Sequence, residues 1–182
     1  MGIIYDKETP QTADKFAGKI LPLLKKTGLK VIMEPGRFIV GNAGILVAKV
    51  LYIKSTPKKR FVIVDGGMND LIRPALYEAY HNIVPLNLSK IREKEKVDVV
   101  GPICESGDFF AKERRLPRVK EGEYLAVMST GAYGFSMSSN YNSRRRAQEV
   151  MVDGDRAYII RKRETFDDII RNEVIPPFEF GF

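Results

Sequence analysis

A change of texture near Asn42 most constrains what this chain can fold into. Before it, the residues supply one helix and one apolar run. After it come short runs rich in β-branched and aromatic residues, broken by Gly, Pro, Asn, Asp and Lys, which is the pattern of sheet and not of alternating strands and helices. From Thr12 to Lys26 the apolar residues Phe16, Ile20, Leu23 and Leu24 fall on one helical face. Asp14 is early, Lys25 and Lys26 are late, and Gly28 is placed to stop the helix. Pro22 predicts a kink or shifted limits. Lys30–Met33 then reads as a short buried strand that ends in the polar turn Glu34-Pro35-Gly36-Arg37. Parallel α/β folds place their sites at the carboxyl ends of strands. A single αβ unit cannot close a parallel barrel, which takes about 250 residues and eight such units. Nor does it make a buried parallel sheet without neighbouring strands. The first 42 residues therefore read as the end of something larger.

The runs Ile45–Ile53, Phe61–Asp65, Val97–Val100, Tyr124–Ser129 and Arg156–Arg161 read as strands. Val152-Asp153-Gly154-Asp155-Arg156 places an Asp-Gly pair between apolar flanks, the strongest hairpin signal in the chain. Residues from about 44 to 164 are thus expected to form an antiparallel sandwich or barrel, with short helices at Leu71–Tyr80 and Phe166–Asn172. Pro176–Phe182 reads as a docked or loose tail, and there are no internal repeats.

The composition, 44% apolar and 29% charged in 20.6 kDa, is that of a globular protein. No run approaches the roughly 18 apolar residues that span a bilayer, the first residues lack the pattern of a signal peptide, and one cysteine makes no internal disulfide. A cytoplasmic protein with no membrane partner and no metal site is expected. The net charge of +7 is spread along the chain, with clusters at Lys58-Lys59-Arg60, Arg144-Arg145-Arg146 and Arg161-Lys162-Arg163. No nucleic-acid-reading motif accompanies them, so they read as solvated turns or strand edges and no nucleic-acid partner is expected.

The sole cysteine lies in Gly101-Pro102-Ile103-Cys104-Glu105-Ser106-Gly107-Asp108, directly after an apolar run, between two glycines read as bending the backbone and ahead of two carboxylates. A thiol in such a turn suits proton donation or nucleophilic attack, whereas a lone cysteine is more often inert core filler.

Four motifs coincide in order: Glu34-Pro35-Gly36-Arg37; Asp65-Gly66-Gly67-Met68-Asn69-Asp70-Leu71-Ile72-Arg73-Pro74 leading to Tyr77; Cys104-Glu105-Ser106-Gly107-Asp108; and Gly131-Ala132-Tyr133-Gly134. Together they resemble the carboxy-terminal half of the diaminopimelate decarboxylases, pyridoxal 5'-phosphate enzymes of the alanine-racemase-like fold, over almost the whole chain. The resemblance implies an α/β plus β architecture. Residues 1–43 would be the end of a TIM barrel and residues 44–182 an antiparallel β-sandwich or Greek-key barrel, with 165–182 as terminal helix and tail. It implies that Glu34 pairs with the pyridine nitrogen of the cofactor and keeps it protonated. Gly36 would allow close backbone approach. Arg37 and Arg73 would grip substrate, Tyr77 and Glu105 would bind substrate, and Glu105 would take its distal ammonium. Tyr133 would meet both cofactor and substrate, with Arg37 counted among the cofactor-binding residues as well. Cys104 would return a proton to the α-carbon after decarboxylation. His81, the only histidine, matches no family role and reads as structural.

Family members are dimers with shared sites, the thiol reaching across the interface. The family also carries, ahead of this segment, a Schiff-base lysine, a histidine stacked on the cofactor and three glycines that cradle the phosphate; none of these motifs is present. Two explanations follow. Residues 1–182 are the carboxy-terminal portion of a decarboxylase, inactive alone and working with an amino-terminal half or second subunit. Or they are a non-catalytic interaction or regulatory module that pairs with an intact decarboxylase. The retained Cys104, Glu105, Arg37, Arg73 and Tyr133 favour the first, and the Cys-Glu-Ser-Gly-Asp context favours meso-diaminopimelate over ornithine, arginine or another basic amino acid as substrate.

Overall fold

The computed structural model describes residues 1–87 and 92–177, in two compact units, Met1–Ser138 and Ser139–Phe182. The first unit opens with α1 (Ala13–Lys25). Thr12 caps it by accepting from the Lys15 N–H, and Asp14 and Lys25 complement the helix dipole at its two ends. The helix continues through Pro22, and none of its residues is buried.

The expected strand at Lys30–Met33 does not form. Val31, Ile32 and Met33 are 45%, 79% and 51% exposed. The reason is the lack of a ladder partner among the described residues: an extended apolar segment becomes a strand only when another segment accepts its hydrogen bonds. After the Glu34–Gly36 turn, a helical turn that the sequence had not suggested, α2 (Arg37–Val40), and a 3-10 turn at Gly41–Ala43 bring the chain to the sheet.

Six strands follow: β1 (Leu46–Ser55), β2 (Arg60–Val64), β3 (Ile83–Pro85), β4 (Lys94–Val100), β5 (Phe109–Pro117) and β6 (Tyr124–Val127). Their order in the sheet is β3-β6-β1-β2-β4-β5. The edge strands β3 and β5 approach each other without pairing. The sheet is therefore curled into a nearly closed barrel and is not a two-layer sandwich. It is also not wholly antiparallel, because β2 and β4 run parallel, with Phe61 opposite Asp98 and Ile63 opposite Val100. The long excursion between them, which holds α3 (Arg73–Tyr77) and β3, is what lets the chain return in the same direction. The helix expected over Leu71–Tyr80 shrinks to α3 because Glu78 takes a left-handed conformation (φ 52°) and ends it.

Alternation places Ala48 and Val50, Val62 and Val64, and Val97 and Val99 inside the barrel, around Phe110, Leu71 and Leu125. Strand β5 was hidden in the sequence by Lys112-Glu113-Arg114-Arg115, whose side chains lie at or near the surface. Its pairing with β4 is interrupted beside Asp98 by a bulge. Glu113 turns left-handed there (φ 51°) and gives its N–H to the buried Asp98, at 2.6 Å; Lys59 binds the other oxygen at 2.7 Å. Burial pushes the Asp98 carboxyl up, but the Glu113 amide and Lys59 outweigh it and hold it below its ordinary value.

In the second unit, β7 (Glu149–Asp153) and β8 (Arg156–Arg161) form the expected hairpin. Its two-residue loop is Gly154-Asp155, with positive φ (60°) at Gly154. Thr165 and Asp168 close a capping box on α4 (Phe166–Ile170). Most of the expected tail, from Phe178 on, lies outside the described residues. Each basic cluster has a member paired with a carboxylate: Lys59 with Asp98, Arg60 with Glu95, Arg146 with Glu164 and Arg161 with Glu149. Among the described residues, no helix is long and apolar enough to cross a membrane.

Candidate functional site

Two turns far apart in sequence meet because glycine backbones touch. A Cβ on Gly131 would stand 1.9 Å from the Val40 carbonyl oxygen, and one on Gly44 would stand 2.4 Å from the Gly131 Cα. Only glycine fits at either position. The contact is sealed by the Gly131 N–H donating to the Gly41 oxygen at 3.0 Å and the Thr130 N–H to the Gly44 oxygen at 2.9 Å. The segment that follows Glu34-Pro35-Gly36-Arg37 is thereby fixed against Gly131-Ala132-Tyr133-Gly134. Tyr133 sits in the left-handed region (φ 61°), where a bulky residue persists only under constraint. Its hydroxyl faces Gly36, whose missing Cβ would lie 3.5 Å away, and Gly36 itself has φ 49°. Glu34 is exposed and Arg37 half-buried. Neither side chain has a hydrogen-bond or ion-pair partner among the described residues.

Arg73 stands beside Tyr133, with its Cζ 5.7 Å from that ring and 5.0 Å from the ring of Tyr5. The guanidinium is buried, at 9% exposure. Its Nη1 donates to the Tyr5 hydroxyl at 2.7 Å and lies 3.3 Å from His81 Nε2. His81 is completely buried, meets Tyr5 edge-on with ring centres 5.2 Å apart, and has Nδ1 2.8 Å from the Met128 carbonyl oxygen. Burial pushes the imidazole below its ordinary pKa; the Met128 carbonyl opposes this, and Arg73 and Arg114 add to it. Tyr5 is held in place by its neighbours: Ile3 packs on Gly41, and the Ile4 carbonyl oxygen accepts from Asn42 Nδ2 and from Ser129 Oγ.

The cysteine turn is organised by Asp108, which is buried at 4% exposure. Oδ2 accepts from the Ile103 N–H at 2.6 Å and Oδ1 from the Met68 N–H at 2.7 Å. One carboxylate thus holds the turn shut and moors it to the Gly66–Asp70 loop, itself braced by the Gly67 N–H on Asp70 at 2.9 Å. Gly101 is required because a Cβ there would lie 2.4 Å from the Asp108 carboxylate. Neither Gly101 nor Gly107 has positive φ, so both serve close approach, not bending. Cys104 and Glu105 are exposed on the outside of the turn, and Tyr77 is 61% exposed at the end of α3. Neither Cys104 nor Tyr77 has a side-chain hydrogen-bond partner among the described residues.

The residues singled out in the sequence therefore divide. Gly36, Tyr133 and Arg73 come together with the Glu34–Arg37 turn, while Cys104, Glu105 and Tyr77 present themselves outward. Tyr5, His81 and Asp108 went unrecognised as organisers. A lone buried histidine eight positions after an arginine carries no periodic signal, and Asp108 read as one of two equivalent carboxylates.

Residues 3–131 match the family model for the pyridoxal-dependent decarboxylases, C-terminal sheet domain. The chain belongs to this family. Among curated family members, it is 55% identical over 170 residues to the diaminopimelate decarboxylase of Haemophilus influenzae, covering 93% of this chain and 41% of that protein. It is 52% identical to the one from Aquifex aeolicus, covering 93% and 40%. The chain thus spans about two fifths of the length of the curated relatives it matches. A crystal structure from Aquifex aeolicus superposes with TM-score 0.90 at 50% identity, covering 93% of this chain and 42% of that one. Diaminopimelate decarboxylase from Helicobacter pylori complexed with L-lysine superposes with TM-score 0.85 at 44% identity, with the same coverage.

Proposed function

We propose that this chain is part of a pyridoxal 5'-phosphate-dependent decarboxylase that converts meso-diaminopimelate to L-lysine and carbon dioxide in the cytoplasm. The observation that carries the reading is the 55% identity to a diaminopimelate decarboxylase over nearly the whole chain, with all four motifs intact. Residues 1–43 are read as the end of the cofactor-binding TIM barrel and residues 44–182 as the β domain. The run Lys30–Met33, with no ladder partner among the described residues, and α1, with no buried residue, fit a segment whose neighbours lie in barrel residues outside 1–182.

The residues present fit part of the cofactor. Glu34 offers a carboxylate with no side-chain partner among the described residues for a ring nitrogen, and Gly36 brings backbone bare of a side chain beside the Tyr133 hydroxyl. Bound pyridoxal phosphate supplies an electron-accepting ring for the electron pair left when carbon dioxide departs. Glu34 holds the proton on the ring nitrogen. Arg37 and Arg73 grip carboxylate, and Tyr77 and Tyr133 orient the substrate. Cys104 Sγ delivers a proton to the carbon that has lost carbon dioxide, and Glu105 takes the distal ammonium. The outward display of Cys104 and Glu105 fits a turn that serves the site of a second subunit.

The test is a chimera in which residues 1–182 replace the matching segment of the Haemophilus influenzae relative. It should bind the cofactor and release carbon dioxide from meso-diaminopimelate faster than from ornithine or arginine. Cys104→Ala should slow turnover with the cofactor still bound. A cofactor-loaded chimera that prefers ornithine or arginine, or decarboxylates nothing, overturns the proposal.

A further inference from the structure

Nothing in the four motifs accounts for the pair of aromatic rings that hold Arg73 from one side. The Tyr5 hydroxyl and His81 Nε2 converge on the same nitrogen, Nη1, at 2.7 and 3.3 Å. No other hydrogen bond of this guanidinium exists among the described residues, so Nε and Nη2 are unclaimed. Those two nitrogens form the lateral edge of the fork, whose parallel N–H bonds match the two oxygens of a carboxylate.

The protonation of His81 follows from its neighbours. The Met128 carbonyl only accepts, so Nδ1 must carry hydrogen; Arg73 Nη1 only donates, so Nε2 must present its lone pair. Both partners select one neutral tautomer. A second proton on Nε2 would point at the Nη1 hydrogens. Burial and the positive charges of Arg73 and Arg114 work against that proton as well. Arg114 Nη1 donates to the His81 carbonyl at 2.8 Å and fixes the backbone beneath the ring. The ring reaches Arg73 because α3 ends after one turn: the left-handed Glu78 reverses the chain, and the Ala79 N–H bonds back to the Arg73 carbonyl oxygen at 3.3 Å.

We propose that Tyr5 and His81 are positioning residues that tether Nη1 of Arg73 and so present its Nε–Nη2 edge to a carboxylate of the amino-acid substrate. The tether constrains an otherwise mobile side chain before substrate arrives, which raises affinity by sparing that ordering cost. The assignment of the edge to substrate rests on the decarboxylase reading; the tether itself does not.

The two parts are tested separately. His81 is the only histidine, so the full chain labelled with nitrogen-15 gives a single pair of ring resonances. Hydrogen on Nδ1 and a bare Nε2 at neutral pH are expected, and the Nε2–H tautomer overturns the tether. In the decarboxylase chimera, Tyr5→Phe keeps the ring and removes the hydroxyl. It should raise KM for meso-diaminopimelate about tenfold with kcat nearly unchanged. His81→Gln, which keeps an acceptor near the Nε2 position, should raise KM less than His81→Asn, which does not. An unchanged KM in Tyr5→Phe, or an equal fall of kcat in all three variants, overturns the positioning role. A wild-type chimera that is folded but inactive strikes the decarboxylase reading and the substrate assignment with it, and the tether still stands or falls by the resonances.

Discussion

Arg73 and Arg37 bear the same group in the same unit, yet the chain treats them oppositely. Arg73 is buried, tethered at one nitrogen and flanked by two rings. Arg37, like Glu34 three positions before it, has no partner within the described residues and follows a run that finds no ladder. The difference tracks what each leans on. Arg73 stands beside a barrel with a buried apolar core, whereas Arg37 follows a segment whose apolar side chains Val31, Ile32 and Met33 are exposed. Arg73 is set in advance by Tyr5 and His81, whereas Glu34 and Arg37 are held by no side-chain partner among the described residues.

The sharpest way to break this contrast is to part the two turns. Gly131→Ala drives a methyl into the Val40 carbonyl, where backbone must yield. A loss of about 3 kcal/mol or more is expected in denaturant melts of the full chain; a loss under about 1 kcal/mol would mean that the turns do not depend on each other. Next come the arginines themselves. Arg73→Met should cost about 2 kcal/mol, since it strands the Tyr5 hydroxyl and a buried imidazole lone pair. Arg37→Met should stay within about 0.5 kcal/mol. Equal costs would erase the distinction. Asp108→Asn keeps the shape but replaces one acceptor with an amide that faces an N–H donor, and about 1–2 kcal/mol should be lost. Amide exchange at Ile103 and Met68 should quicken, and so should reaction of Cys104 with a disulfide reagent, because the turn loosens. Unchanged exchange would remove Asp108 as its organiser.

The smallest effect is in pH. His81 takes its proton in the unfolded chain near pH 6.5 and only at lower pH when folded. The unfolded state therefore binds more protons as pH drops through this window, and stability present above about 6.5 is progressively lost below it. Melts of wild type and His81→Gln between pH 7 and 5 should differ in slope, the wild type falling more steeply. Parallel slopes would mean that the imidazole titrates alike in both states.

Much of the fold was legible because alternation and punctuation are local. The hairpin around Gly154, the helix after Thr12 and four other strands followed from them within a few residues. What escaped depended on partners. Lys30–Met33 had the composition of a strand and no ladder partner among the described residues to make it one. Strand β5 carried four charged residues in succession and became a strand because β4 and a buried Asp98 accept its amides. The parallel pairing of β2 with β4 depends on where the intervening chain goes, which no window of residues records. For the candidate site, the motifs marked residues of both kinds, the buried Arg73 and the exposed Cys104, Glu105 and Tyr77. They did not include Tyr5 or His81 and gave Asp108 no role of its own, although these residues hold Arg73 and the cysteine turn and their signal is a three-dimensional coincidence of single positions.

The order of strands has a consequence for how the chain reaches this state. In the sheet β6 lies between β1 and β3, so Leu46 pairs with Val127 and Ile83 pairs with the same residue on its other side. During synthesis the middle of the barrel stays open until the ribosome has delivered Tyr124–Val127, and only then do the earlier strands find their neighbour. Such non-local closure is slow, on the order of milliseconds to seconds. Through that interval the β6-facing edges of β1 and β3 are bare ladders, which exposes the nascent chain to misassembly or to capture by chaperones.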